Sequence, residues 1–156
     1  NSHGGFFTSY AVNIMWIYYL VRTGHVPYLD PMDIPSSLSS AEHAPDPQYV
    51  SMRPPNPLTP EEDAAQSALM GELLVGFFRF YAFEFDWATH VVSLNKHEVT
   101  TKEELGWGKE DVSHGRRHTR YMLCIEDPYE ESLNLGRHIG PTKAKRVMQE
   151  ELGWGK

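Results

Sequence analysis

Residues 125–137 read Ile-Glu-Asp-Pro-Tyr-Glu-Glu-Ser-Leu-Asn-Leu-Gly-Arg, and this is the most informative stretch of the sequence. Asp127 and Glu130 are spaced as an N-cap and the third residue of a helix, with Pro128 at the first helical position. The spacing predicts a capping box that opens a short helix. A capping box alone would account for both carboxylates without any ligand.

The first apolar segment, residues 6–22, places apolar side chains on nearly every face of a helix. This pattern predicts a buried helix that ends at Gly24. Ser9 and Tyr10 lie at its start, where backbone N–H groups and the helix dipole favour a phosphate. Stacking a base on an aromatic ring contributes about 1–3 kcal/mol. The plainer interpretation is that Ser9 caps the helix and Tyr10 packs in the core.

The middle of the chain predicts a second helix and a pair of strands. Thr59-Pro60-Glu61-Glu62 has the capping-box pattern. Apolar residues then recur at every fourth position, in a stripe expected to pack on the first helix: Ala65, Leu69, Leu73, Phe77 and Tyr81. Residues 90–94 and 120–125 are short apolar runs that we interpret as paired strands, with an exposed segment between them. A last helix is expected over residues 141–152.

The composition fits one domain with a sizeable core and excludes several other classes. The chain has 156 residues, 40% of them hydrophobic, and a net charge of −7, which argues against RNA binding by a broadly basic surface. The longest apolar run, residues 10–21, is shorter than the roughly 20 residues of a membrane-spanning helix. Cys124 is the single cysteine, and with His114 and His118 it lacks paired ligand spacing, so no metal site is assigned.

Together these motifs resemble those of the terminal uridylyltransferases and the related poly(A) polymerases. Besides residues 125–137, the resemblance rests on Thr8-Ser9-Tyr10, on Gly-Glu-Leu-Leu-Val-Gly-Phe-Phe at 71–78, and on Phe-Asp-Trp at 85–87 with His-Val-Val-Ser at 90–93. It implies a mostly helical α+β fold with a small strand pair, the central poly(A)-polymerase-associated domain of a polymerase-β-like nucleotidyltransferase.

The resemblance also implies the extent of this domain. The domain is expected to span residues 1–149, interrupted by a proline-rich loop or insertion at 27–60. Residues 150–156 repeat residues 103–109 letter for letter, and seven residues are too few for a structural repeat.

The resemblance assigns roles to four residues. In the resembling enzymes the serine matching Ser9 contacts the triphosphate, and the tyrosine matching Tyr10 stacks on the base. The carboxylates matching Asp127 and Glu130 contact the uracil edge, which implies UTP as substrate and uridine addition to RNA 3′ ends. Leu133 departs from the family, since many members carry a histidine there that helps to exclude ATP. The mitochondrial RNA-editing uridylyltransferases also lack it, and a mitochondrial location is implied by the resemblance to them.

The family's catalytic carboxylates have no counterpart in the sequence. It contains no Gly-Ser dipeptide and no Asp-x-Asp, so no catalytic residue is assigned. The resemblance therefore implies a larger enzyme whose catalytic domain holds Mg²⁺ and packs against this domain. The RNA 3′ end and an RNA-processing complex are the further partners implied. Two alternatives stay open, namely the domain of an ATP-using poly(A) polymerase and a non-catalytic scaffold domain of an RNA-processing complex.

Overall fold

The computed structural model of the chain describes residues 7–30, 58–108, 110–113, 116–119, 121–130, 132–140, 142–144 and 146, with only the backbone at 110–113 and 116–119. The chain divides into two compact units. One unit comprises Asn1–Tyr28 with Phe77–Lys156, and the other comprises Leu29–Gly76. The first unit contains all four predicted site residues.

Helix α1 spans Ser9–Arg22, so the predicted helix forms, but the prediction that it is buried on nearly every face is wrong, because Val12 is 39% and Ile17 44% exposed. Thr8 is its N-cap, because the Thr8 Oγ1 atom accepts a hydrogen bond from the Ala11 N–H at 3.1 Å. At the other end Gly24 has a φ of 75°, the left-handed conformation that glycine readily adopts after a helix. The predicted end at Gly24 is confirmed, whereas the predicted start is too early, because Phe7 and Thr8 are described and not helical.

The core of the first unit lies between one face of α1 and a π-helical segment, Phe80–Glu84. Tyr81 is fully buried, and its hydroxyl donates to the Met15 carbonyl oxygen at 2.8 Å. The indole N–H of Trp87 donates to the Tyr81 carbonyl oxygen at 2.9 Å. Both polar side-chain groups are therefore paired inside an apolar surrounding, and the Tyr81 bond ties the π-helical segment to α1.

Helix α2 spans Pro60–Arg79 and begins with the predicted capping box. The Thr59 N–H donates to the Glu62 carboxylate at 2.8 Å, and the Glu62 N–H donates to the Thr59 hydroxyl at 3.2 Å. Phe77 and Tyr81 of the predicted stripe are buried in the first unit, whereas Ala65, Leu69 and Leu73 belong to the second unit, and their packing on α1 stays a prediction. Four-residue spacing shows which side chains share a face, but not whether a neighbour covers that face.

Strand β1, His90–Val91, pairs with strand β2, Thr100–Thr101, in an antiparallel sheet. The sequence predicts that residues 90–94 form a strand pair with residues 120–125. That prediction is wrong, because the strand that pairs with His90–Val91 is Thr100–Thr101. The two predicted segments share one parallel bridge, between Val92 and Ile125. The segment between them is not wholly exposed either, since Thr100 in β2 is buried. A two-residue strand in a polar segment is too short for alternation to reveal.

The remaining described elements complete a mostly helical α+β fold with small strand pairs, as predicted. Strands β3, Glu110–Ser113, and β4, Arg116–Thr119, form a second antiparallel pair. Residues 142–144 and 146 are helical, and the rest of the predicted last helix lies outside the described residues. So do most of the predicted insertion at 27–60 and the heptapeptide at 150–156. Within the described ranges, no helix has the length and apolarity needed to cross a membrane.

Candidate functional site

The loop at residues 125–137 turns back on itself, and its described residues form no helix. The Asp127 N–H donates to the Leu133 carbonyl oxygen at 3.0 Å, so the chain returns beside its own start. Ser132 has a φ of 62°, a left-handed conformation that helps to reverse the chain. The intervening segment is too short to offset the cost of nucleating a helix. The predicted helix after Pro128 is therefore wrong.

Asp127 organises this turn with one carboxylate oxygen. Its Oδ1 atom accepts hydrogen bonds from the Tyr129 N–H at 2.8 Å and the Glu130 N–H at 3.1 Å. These are the bonds of an N-cap or an Asx turn, so this half of the predicted capping box is confirmed. The reciprocal half is wrong, because the Asp127 N–H is bound by Leu133 and not by the Glu130 carboxylate.

Tyr10 and Asp127 meet although 117 residues separate them in the chain. The Tyr10 hydroxyl lies 3.5 Å from Asp127 Oδ1, at the long limit of a hydrogen bond in which the phenol donates. The Tyr10 side chain is 40% exposed, so the interpretation in which it packs in the core is wrong. Partial burial and the neighbouring Asp127 carboxylate raise the pKa of the Tyr10 hydroxyl. The phenol therefore keeps its proton at neutral pH and remains a donor.

Ser9 and Glu130 complete the predicted set, and both are exposed. Ser9 is the first residue of α1, and because Thr8 is the N-cap, a capping role for Ser9 is wrong. The Glu130 carboxylate accepts no hydrogen bond from the described part of the chain. The structure thus brings Tyr10 and Asp127 into contact. Ser9 precedes Tyr10 in the sequence, Glu130 lies in the same turn as Asp127, and both are accessible to solvent.

Three buried polar residues that the sequence did not single out support this site. Asn134 is 2% exposed and hydrogen-bonded within the loop. The Ser93 hydroxyl donates to the buried carboxylate of Glu126 at 2.5 Å, which ties the start of the loop to the segment after β1. Glu126 and Asn134 lie inside the quoted stretch, but their spacing does not reveal that they are buried, and Ser93 carries no signal of its own.

The metal chemistry of the described residues is limited. Among them, no three His, Cys, Asp or Glu side chains form a group able to hold a metal ion. Cys124 is buried, and burial raises the pKa of its thiol to about 11, which makes it a poor ligand and a poor nucleophile. His114 and the side chain of His118 lie outside the described residues. The site therefore offers stacking, hydrogen bonding and a helix start suited to an anion.

Comparison with known proteins gives consistent matches. The model of the Cid1 family poly A polymerases matches residues 70–133, which include Asp127 and Glu130. Terminal uridylyltransferase 1 of Trypanosoma brucei brucei is 53% identical over 96% of this chain and 17% of its own length. Terminal uridylyltransferase 1 of Leishmania tarentolae is 44% identical over 96% of this chain and 19% of its own length.

A solved structure shares the fold as well as the sequence. RNA Editing TUTase 1 from Trypanosoma brucei in complex with UTP matches with a TM-score of 0.81 and 56% identity, covering 98% of this chain and 31% of that chain. The chain spans less than a fifth of the length of the two uridylyltransferases named above. On sequence and fold together, the chain belongs to the terminal uridylyltransferase and poly(A) polymerase family of nucleotidyltransferases.

Proposed function

We propose that this chain is the UTP-binding part of an RNA terminal uridylyltransferase, a larger enzyme that adds uridines to RNA 3′ ends. The contact between Tyr10 and Asp127 carries the proposal, because it sets an aromatic ring with one exposed side next to a buried carboxylate at the start of α1. A nucleotide needs a flat surface for its base, a polar group for the base edge and an electropositive site for its phosphates. Those three features converge here.

Asp127 has an acceptor to spare for the base edge. Its hydrogen bonds all use Oδ1, and none of the described residues donates to Oδ2. In the proposal Oδ2 accepts from the N3–H of uracil, directly or through water, and the exposed Glu130 carboxylate assists. Cytosine carries an acceptor at the same ring position, so a carboxylate there disfavours CTP by leaving two acceptors face to face.

Tyr10 and Ser9 hold the rest of the nucleotide in this proposal. The Tyr10 ring stacks on the base, and its contact with Asp127 sets the ring and the base-reading carboxylate in one fixed geometry. Ser9, exposed at the first turn of α1, presents its hydroxyl to the triphosphate together with the N–H groups of the helix start.

The Mg²⁺ ions of the reaction are assigned to a catalytic domain of the same enzyme. Nucleotidyl transfer of this type uses metal ions held by carboxylates, and the described residues do not fit such a site. This domain is proposed to bind and orient UTP, with the RNA 3′ end and an RNA-processing complex as partners. The name of the matched RNA Editing TUTase 1 supports extending the proposal to RNA editing and a mitochondrial location.

A poly(A) polymerase domain that takes ATP is the second candidate. Leu133 keeps this candidate open, because leucine cannot donate the hydrogen bond that a histidine uses against ATP in many resembling enzymes, although the RNA-editing uridylyltransferases also lack that histidine. Poly(A) RNA polymerase cid11 of Schizosaccharomyces pombe is 27% identical over 94% of this chain. A non-catalytic scaffold domain is the third candidate.

Nucleotide use by the complete purified enzyme separates these candidates. An RNA primer is incubated with UTP, CTP, ATP or GTP singly and in competition, and the tail composition is read by sequencing. The proposed function expects uridine tails. Preferential adenosine tails would establish the second candidate, and UTP binding without incorporation of any nucleotide would establish the third.

A further inference from the structure

Asn134 is the most deeply buried polar side chain of the loop, with 2% of its surface exposed. A primary amide costs free energy when buried unless its donor and acceptor atoms are paired. The amide of Asn134 is paired at both ends: its partners are backbone groups of Leu123, Ile125 and Gly136 and, at the 3.9 Å limit for sulfur, the Cys124 Sγ atom. The hydrogen bonds of Asn134 therefore help to hold the loop closed.

The Asn134 Oδ1 atom accepts two hydrogen bonds. One comes from the Ile125 N–H at 3.1 Å and the other from the Gly136 N–H at 2.8 Å. The Nδ2 atom donates to the Leu123 carbonyl oxygen at 3.2 Å. This pattern defines the orientation of the amide, since a flipped side chain would point its NH₂ group at two N–H donors.

These bonds connect the two ends of the loop at its base. The Leu135 N–H donates to the Ile125 carbonyl oxygen at 2.8 Å, which adds a main-chain link across the same point. Gly136 passes so close to the segment that leads into the loop that a Cβ atom there would lie 2.2 Å from the Leu123 carbonyl oxygen. No side chain fits at that position, so the close approach on which the Asn134 bonds depend requires glycine.

The far side of the same closed loop carries Asp127. The Asp127 N–H bonds to the carbonyl oxygen of Leu133, the residue next to Asn134. Glu126 and Asn134 themselves form an antiparallel bridge. A displacement of Asn134 therefore reaches the Asp127 backbone through adjacent hydrogen-bonded residues, and with it the carboxylate that faces Tyr10.

We propose that Asn134 is a positioning residue for nucleotide choice: it closes the loop and so fixes the direction of the Asp127 carboxylate toward the base. This inference rests on the proposed UTP-binding function. Aspartate at 134 keeps both acceptor contacts but sets a carboxylate oxygen against the Leu123 carbonyl oxygen. Alanine removes all the hydrogen bonds of the amide and leaves the Ile125 and Gly136 N–H groups without their partner.

The test compares Asn134→Asp and Asn134→Ala with the wild type in the complete enzyme. The measured quantity is the ratio of kcat/KM for UTP to kcat/KM for CTP. A small misplacement of a substrate-orienting group costs about tenfold to a hundredfold. We expect the ratio to fall by that factor in Asn134→Ala and by less in Asn134→Asp, with the UTP loss mainly in KM.

Thr59→Ala is the control, because it removes the side-chain cap of α2, which lies outside the loop and outside α1. It should lower the melting temperature and leave the UTP to CTP ratio unchanged. An unchanged ratio in the folded Asn134 variants, or an equal fall in Thr59→Ala, would overturn the inference; if Asn134→Ala does not fold, Asn134→Asp alone decides. A wild-type enzyme without preference for UTP would instead refute the proposed function.

Discussion

The Ser93 hydroxyl and the Glu126 carboxylate form a buried hydrogen bond of 2.5 Å across 33 residues of sequence. The Ser93 oxygen also accepts from the Asn95 N–H at 3.2 Å. Because Glu126 directly precedes Asp127, this bond anchors the carboxylate-bearing loop to the segment after β1. A buried carboxylate requires such a partner, and hydrogen bonds to charged acceptors are stronger than neutral ones.

Ser93→Ala should therefore lower the free energy of unfolding by about 1–3 kcal/mol, the usual cost of leaving a buried acceptor unpaired. Thr100→Val is the matched control. Thr100 is as buried as Ser93, at 3% exposed, but its hydroxyl has no partner within the described residues, so its removal should cost little. Urea unfolding of the three proteins measures both effects. Equal losses in the two variants would contradict the anchoring role of Ser93.

A buried lysine holds together the segments that lead to the same loop. The Lys102 ammonium donates to the carbonyl oxygens of Trp87 at 2.6 Å, Tyr121 at 3.1 Å and Met122 at 3.0 Å. Its three donors are thus matched by three acceptors, although burial still lowers the pKa of Lys102. Lys102→Met should lower the free energy of unfolding by about 1.5–3 kcal/mol at pH 7, through loss of bonds to a charged donor.

Lys102 also makes the free energy of unfolding depend on pH, and the direction of its pKa shift sets the sign of that dependence. The pKa of Lys102 is lower in the folded protein than in the unfolded chain, where it is about 10.4. At a pH between the folded and the unfolded pKa of Lys102, the unfolded chain binds more protons than the folded protein. The free energy of unfolding therefore rises with pH in this range. The difference between the wild type and Lys102→Met should widen as the pH is raised from 7 toward 10. Urea unfolding at several pH values measures this difference, and a narrowing gap would disagree with a depressed pKa.

The elements that the sequence predicted well are those with strong local chemistry. The capping box at Thr59 and Glu62 forms both of its hydrogen bonds, and Gly24 ends α1 in the left-handed conformation. Each depends on residues within a few positions of one another, so a single sequence contains the whole cause.

The predictions that failed concern residues whose structure depends on a partner that is distant in the chain or lies in a segment without a clear pattern. Asp127 makes the bonds of an N-cap, yet its own N–H pairs with Leu133, and that return of the chain ends any helix after Pro128. The strand partner of His90 is the short Thr100–Thr101, which lies in a charged segment without alternation. Lys102 breaks the rule that lysine is exposed, because three carbonyl groups from two separate segments accept its hydrogen bonds. The proximity of Tyr10 and Asp127 could be expected only from family resemblance.

Tyr10 should contribute to nucleotide binding mainly through its ring. In the complete enzyme, Tyr10→Ala is expected to weaken UTP binding by about 1–3 kcal/mol through lost stacking. Tyr10→Phe keeps the ring and loses only the long contact with Asp127, so it should cost much less. Titration calorimetry with UTP measures both. Equal losses would mean that the hydroxyl, and not stacking, carries the interaction.

The isolated 156-residue chain should not extend RNA. Its described residues contain no carboxylate group able to hold the metal ions of nucleotidyl transfer. The assay is a primer-extension reaction with Mg²⁺ and UTP, with the complete enzyme as positive control. Uridine addition by the highly purified chain would show that it carries a catalytic site of its own.

The most direct test concerns the carboxylates themselves. Asp127→Asn retains the side-chain oxygen that caps the turn, since asparagine caps about as well as aspartate. It also replaces one acceptor with a donor facing the base. Glu130→Gln changes an exposed group that no described residue engages. Both variants should therefore melt within a few degrees of the wild type.

The decisive measurement is the relative incorporation of UTP, CTP and ATP by the complete enzyme and by these two variants. The account predicts a clear UTP preference in the wild type and a reduced one in Asp127→Asn, with CTP gaining most because its N3 accepts the new donor. Glu130→Gln should show a smaller change in the same direction. Selectivity that is unchanged in both folded variants would mean that the turn-capping bonds are the whole role of Asp127, and it would contradict the proposed uracil site.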